Sequence, residues 1–206
     1  MHARSTTIQA DPGAIDAGIA HVRDEAMPTI LGIEGCVGLS ILVHRQSGRC
    51  IATSAWRSAG AMRASNEQVR PIRNRSAEIL GGRAQVDEWE IAVLHRDHRT
   101  SDGAAVRSTW TLVAPDNLDR ALGLFRSSSL PAIEELEGFC SASVLVNRES
   151  GRSVLSVTYD SREAMERNRE QASSVRIAGI QDSVLRLLDV REFELAIAHL
   201  HAPEMA

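Results

Sequence analysis

Two arginine–threonine pairs, Arg4 with Thr6 and Arg107 with Thr109, are the groups in this sequence best suited to hold an anion. The i, i+2 spacing puts both members of a pair on one face of an extended strand. A guanidinium there can take a carboxylate or phenolate ligand, or close an ion pair with an acidic residue such as Glu90 or Glu194. Around Arg107 the alternate residues Val106, Ser108, Trp110 and Leu112 form the more apolar face, which is expected to meet helices. Arg107 and Thr109 are then expected to face the interior between two sheets. His95 and His199 close later strands at matching places and are the candidate acid–base groups, with surface strand-end histidines as the plainer reading. Trp56 and Tyr159 end two further matching strands, either as pocket walls for a flat substrate or as core. His98 and His201 follow His95 and His199 at +3 and +2. Their unequal spacing, with no acidic cluster joined to them, gives no metal site.

Several chemistries are excluded by residue type. All 23 basic residues are arginine, which removes Schiff-base chemistry and a phosphate-loop lysine. Arginine balances acid 12 to 12 over residues 1–103 and trails it 11 to 15 over 104–206, so neither half has the basic excess of a nucleic-acid binder. The odd set Cys36, Cys50 and Cys140 falls in apolar runs without paired metal-binding spacing and is expected as buried reduced thiols. Ser127 to Ser129 and Ser173-Ser174 lack a recognisable base partner and read as helix surface. No apolar leader core or membrane-length run is visible, and a cytoplasmic address is expected.

The elements that must position these residues are written twice. At an offset of 103, Arg4-Ser5-Thr6 recurs as Arg107-Ser108-Thr109, Pro28 as Pro131, Gly35 as Gly138, and Ser47-Gly48-Arg49 as Ser150-Gly151-Arg152. Near the end the offset becomes 104, with Trp89-Glu90-Ile91-Ala92 answered by Phe193-Glu194-Leu195-Ala196, so the second copy carries one inserted residue. A period this long is a duplicated domain rather than a solenoid.

Each copy opens with a short strand, Arg4 to Gln9 or Val106 to Val113, followed by a proline and an aspartate at a helix entry. The first helix carries Ile15, Ile19, Val22 and Ala26, or Leu118, Leu122 and Phe125, on one face, and Pro28 or Pro131 should kink or restart it. Hairpins follow, Cys36–His44 with Arg49–Trp56 and Phe139–Asn147 with Arg152–Tyr159. Ser58 and Ser161 cap a second helix with Ala61, Met62, Ser65, Val69 and Ile72 on its first-copy stripe, and Gly81-Gly82 stops that helix. Last strands are expected over Gln85–Leu94 and Leu188–His199. The order is the split βαβ pattern. The fold class is therefore α+β: two tandem ferredoxin-like (βαββαβ) domains, 1–96 and 104–206, joined by a linker over 97–103 and forming an intrachain dimeric α+β barrel with one cavity per copy.

The run Glu34-Gly35-Cys36, then Trp56-Arg57-Ser58 with Ala61-Met62 and Ser65, resembles the antibiotic-biosynthesis monooxygenase group of dimeric α+β barrels. Glu137-Gly138-Phe139 and Tyr159-Asp160-Ser161 with Ala164-Met165 repeat it in the second copy. That group includes cofactor-independent oxygenases of aromatic polyketides and haem degraders whose iron ligand is a histidine on the second helix. No histidine lies between Arg45 and Leu94 or between Ala104 and Ala198, so the haem ligand does not carry over. The resemblance implies a cofactor-independent monooxygenase acting on a small aromatic or polyketide-like compound. A non-catalytic ligand-binding or stress-related module of the same fold, or an assembly protein with a filled barrel, are the alternatives. No cofactor is assigned, and the expected partner is a small molecule rather than nucleic acid or membrane. The fused unit is its own pseudo-dimer, with further self-association left open.

Overall fold

The structure, a computed structural model, describes residues 1–100, 102–182 and 185–200. Ser101 of the expected linker and His201 lie outside them. The chain divides into two compact units, residues 1–90 with the end of the last strand from residue 195, and residues 91–194.

In the first unit the elements are β1 (His2–Gln9), α1 (Ile15–His21), α2 (Met27–Leu31), β2 (Cys36–His44), β3 (Arg49–Trp56), α3 (Ala59–Ala64), α4 (Asn66–Leu80) and the start of β4 (Ala84–Arg96). Antiparallel ladders set the order β4–β1–β3–β2. In the second they are β5 (Ala105–Leu112), α5 (Leu118–Leu124), α6 (Leu130–Glu134), β6 (Phe139–Asn147), β7 (Arg152–Tyr159), α7 (Arg162–Arg167), α8 (Arg169–Asp182) and β8 (Arg186–Leu200), with the order β8–β5–β7–β6. Both orders are those of the ferredoxin-like split βαβ pattern.

Local chemistry explains the boundaries. Ser58 and Ser161 are extended residues whose Oγ atoms each accept from the backbone N–H three residues on, at 3.1 Å, which starts α3 and α7. Pro28 and Pro131 each follow a single π-helical turn, Val22–Ala26 or Phe125–Ser129, and stand in the first turn of the helix that restarts after it. A proline lacks the N–H that an α-turn needs and crowds the carbonyl four residues back, so the wider turn takes up the misfit.

The second helix is not continuous as expected. It breaks at Ser65, whose Oγ donates to the Met62 carbonyl at 2.7 Å, and at Asn168, whose Nδ2 donates to the Ala164 carbonyl at 2.7 Å. Ser65 takes a carbonyl that the helix ladder would otherwise use, whereas the Ala164 carbonyl accepts both the Asn168 amide and, at 3.3 Å, its backbone N–H. The residue inserted in the second copy is Leu188: Trp110 pairs with Asp189 and Thr111 with Leu187, so a bulge absorbs it.

Each unit has its own core. Ile15, Leu39, Val43, Trp56 and Met62 are among the buried residues of the first, and Leu118, Leu122, Phe139, Val146 and Met165 of the second. The hairpin turns bring glycine against the backbone that follows β1 or β5. Gly151 has φ +71°, and a β-carbon there would overlap the Val113 carbonyl oxygen, whereas Gly103, at φ +87°, has open space around it. Gly103→Ala should therefore cost about 1 kcal/mol from backbone strain alone, and Gly151→Ala about 3 kcal/mol because the hairpin must also shift. Urea unfolding midpoints of the two variants check this; equal losses would contradict it.

Candidate functional site

Burying a guanidinium requires partners for its charge and its five donors. In the first unit Arg4, on β1, is 2% exposed, and Glu88 stands directly across the ladder on β4. Glu88 Oε1 accepts from Arg4 Nη2 at 2.9 Å and from Nε at 3.3 Å; Nη2 also donates to the Met62 carbonyl at 2.8 Å and Nη1 to Ser65 Oγ at 3.2 Å. The break in the second helix thus supplies both a carbonyl and a hydroxyl to the arginine. In the second unit Arg107 repeats the arrangement, with Nη2 and Nε 2.9 and 3.1 Å from Glu192 Oε1 and Nη2 3.2 Å from the Met165 carbonyl. Asn168 stands where Ser65 would, but its amide donates to the carbonyls of Glu137 and Ala164. Arg107 Nη1 is buried with no hydrogen-bond partner.

Both arginines face a cavity between sheet and helices. The first, about 70 Å³, is walled by residues such as Ile8, Ile15, Ile41 and Val69, with Arg4, Thr6 and Arg73 among its polar members. The second, about 100 Å³, has Leu118, Phe125, Val146 and Val157 in its wall and Arg107, Thr109, Tyr159 and Arg176 as polar members. Burial, with the charges of Arg4 and Arg70 added, lowers the Arg73 pKa; burial and then the charge of Arg107 lower that of Arg176. Arg73 Nη1 is buried with no hydrogen-bond partner, while Arg176 Nη2 donates to Ser173 Oγ at 2.9 Å. Each cavity therefore presents two guanidiniums, only one of which has a carboxylate directly across its strand. The Arg107 guanidinium carbon lies 5.8 Å from the centre of the buried Tyr159 ring. Burial raises the Tyr159 pKa and the Arg107 charge works against it.

Arg4, Thr6, Arg107, Thr109 and Tyr159 all line cavities, but Arg107 and Thr109 do so on the helix side of the sheet, opposite to expectation. Val106, Arg107, Ser108 and Thr109 are all buried, so the alternation of apolar residues along β5 carried no signal for which face the helices cover. Trp56 is fully buried in the first core, its indole N–H donating to Ser54 Oγ at 3.0 Å, and is not among the cavity residues. His95 stacks on Phe139 and its Nε2 lies 2.6 Å from Glu134 Oε1; neither His95 nor His199 is among the described cavity residues.

The expectation that no acid joins His98 is overturned. His98 Nε2 lies 2.8 Å from Asp160 Oδ1, its Nδ1 2.8 Å from Asp97 Oδ2, and the Cys140 thiol donates to Asp160 Oδ1 at 3.1 Å. Burial, then Asp160, pushes the Cys140 thiol up to about 12. Its partners come from a segment after β4 and a turn after β7, distant in sequence, and Arg57 stands where Asp160 would in the first copy. Sequence reasoning also passed over Arg73 and Arg176. A signal was available, since Arg73 returns at the 103-residue offset while Arg70 and Arg75 return as Ser173 and Ala178.

No protein-family model matches the chain. A provisional monooxygenase from Lactobacillus acidophilus is similar in structure at a TM-score of 0.67 and 10% identity, over 94% of this chain and 92% of that one. An anthrone oxidase-like protein gives 0.62 at 15% identity over 98% and 96%. A ferredoxin-fold protein of Listeria monocytogenes related to antibiotic biosynthesis monooxygenases gives 0.55 at 10% identity over 95% and 94%. The chain thus shares the α+β, ferredoxin-type fold of these proteins. In sequence, the uncharacterized proteins Rv2557 and Rv2558 of Mycobacterium tuberculosis are 57% and 55% identical over all of this chain and 92% and 87% of their own lengths. The chain belongs to the family of these two proteins.

The two ion pairs differ in exposure, 20% for Glu192 against 42% for Glu88, and Glu192 also binds Arg169 at 3.1 Å. Glu192→Gln should cost about 1–3 kcal/mol of stability, and Glu88→Gln measurably less because water reaches its carboxylate. Thermal denaturation of the two variants checks the order.

Proposed function

We propose that each half of the chain binds a small apolar anion, a carboxylate or phenolate no larger than about one aromatic ring. The observation that carries this is the unmet guanidinium nitrogen in each unit, Arg73 Nη1 in the first and Arg107 Nη1 in the second, on a side chain that lines a largely apolar cavity. A buried donor without a partner costs about 1–3 kcal/mol, which an anion recovers on binding. Size narrows the class. Cavities of about 70 and 100 Å³ fall well below the roughly 300–1,000 Å³ of drug-sized ligand sites, which favours a single ring or short branched chain over a fused polyketide. The repeated residues also support reading the chain as two fused copies of one ferredoxin-like unit, each acting on a small molecule.

A cofactor-independent monooxygenase is the second reading. Tyr159 favours it, since a phenol beside Arg107 in the second cavity suits a substrate oxyanion. In such a step a substrate CH₂ becomes a carbonyl: one oxygen atom of O₂ enters the carbon, and the other leaves as water with both hydrogens.

Benzoate should raise the melting temperature saturably, by the equivalent of about 2.7 kcal/mol at one hundred times its Kd, while neutral benzamide should not. Arg73→Met should abolish the first unit's share of the difference, and Arg107→Met, combined with Glu192→Gln so that no carboxylate is left without its arginine, the second unit's. Equal shifts for both compounds, or none for either, would overturn the binding reading. Oxygen uptake with hydroxylated one-ring compounds separates the second reading from binding alone.

A further inference from the structure

Away from both cavities, at the end of the second unit's sheet, three side chains of different chemistry converge on one point. His98 Nε2, Cys140 Sγ and an Asp160 carboxylate oxygen lie within 4.8 Å of one another. Cys140 is the second residue of β6, Asp160 follows β7, and His98 follows β4. We propose that His98, Cys140 and Asp160 form a zinc-type metal site with three protein ligands and a fourth position open to solvent.

The donor set selects the metal. Imidazole nitrogen, thiolate sulfur and one carboxylate oxygen suit Zn²⁺, whereas Ca²⁺ and Mg²⁺ take oxygen shells. In a tetrahedral zinc site with bonds of about 2.0–2.3 Å, neighbouring donor atoms stand about 3.3–3.6 Å apart. The Nε2–Oδ1 and Sγ–Oδ1 separations are 2.8 and 3.1 Å, so opening by roughly half an ångström admits the ion. Burial is graded in the sense such a site needs: Cys140 is fully buried, whereas the side chains of His98 and Asp160 are 42% and 43% exposed, leaving an approach for the ion and its water.

The backbone already ties the three segments together. Asp97 N–H donates to the Cys140 carbonyl at 2.9 Å, His98 N–H to the same carbonyl at 3.4 Å, and Asp160 N–H to the Gly138 carbonyl at 2.8 Å. Asp97 supplies the outer contact, its Oδ2 2.8 Å from His98 Nδ1. With the ring proton on Nδ1 and donated to Asp97, Nε2 offers its lone pair to the cluster, the carboxylate–histidine–metal arrangement that fixes ring and tautomer. In the empty cluster Nε2 and the Asp160 carboxylate share a hydrogen bond, and the ion takes the place of its proton between nitrogen and oxygen. As the Zn–N and Zn–S bonds form, the Nε2 proton and the thiol proton both leave to solvent.

The site belongs to the second half alone. At the 103-residue offset Cys140 corresponds to Val37 and Asp160 to Arg57, so the first half has neither ligand. None of the three residues lines either cavity.

The test uses the full chain, stripped with a chelator and titrated with Co²⁺. The expected result is one equivalent bound, with a thiolate-to-cobalt band in the near ultraviolet and the strong visible absorption of four-coordinate cobalt, both erased by one equivalent of Zn²⁺. Cys140→Ser and His98→Gln, the second at an exposed position that should not disturb folding, must each lose the band, while Cys36→Ser and Cys50→Ser keep it. Asp97→Asn should weaken binding about 10- to 100-fold. Absence of a thiolate band at one equivalent, or a band that survives His98→Gln or Cys140→Ser, overturns the site and leaves the cluster as a hydrogen-bonded network.

Discussion

The structure of each half turns on one constraint: an arginine buried on the helix-facing side of its first strand. Arg4 and Arg107 are 2% and 5% exposed, and a charge so placed is tolerated only with a carboxylate and carbonyls at hand. Glu88 and Glu192 stand opposite them in register, which fixes the pairing of first strand with last. The carbonyls of Met62 and Met165 come from the short helices α3 and α7, which end near the guanidinium because Ser65 and Asn168 break the run. The cavity is the space that remains between this polar corner and the apolar stripes of the helices.

The halves have not kept the corner identical. Ser65 saturates Arg4, whereas Asn168 turns to Glu137 and leaves a nitrogen of Arg107 unmet. Ser54 and Ser76, both lining the first cavity, are answered in the second by Val157 and Gly179, and Tyr159 lines the second cavity whereas Trp56, its counterpart, does not line the first. The same frame therefore offers two related anion sites with different walls.

Much of this was legible in the sequence where a local rule governs. The hairpin strands fall where the alternation and the Ser-Gly-Arg turns put them, the serine caps are made as expected, and the single inserted residue is the Leu188 bulge. What was not legible depends on burial. Because both faces of β5 are covered, its pattern could not say which way Arg107 points. Arg73 and Arg176 look like helix-surface residues until the cavity places them, and Cys140, His98 and Asp160 meet only because three strand ends do. The residues repeated at the 103-residue offset gave no hint of that cluster, because Val37 and Arg57 stand in the first half where Cys140 and Asp160 stand in the second.

The claim that the buried arginines await an apolar anion is tested most directly by a crystal structure of the protein with benzoate. The account predicts a carboxylate about 3 Å from Arg73 Nη1 in the first unit and from Arg107 Nη1 in the second, with the ring in the apolar cavity. Ordered water on those nitrogens, with benzoate bound elsewhere or not at all, would contradict it.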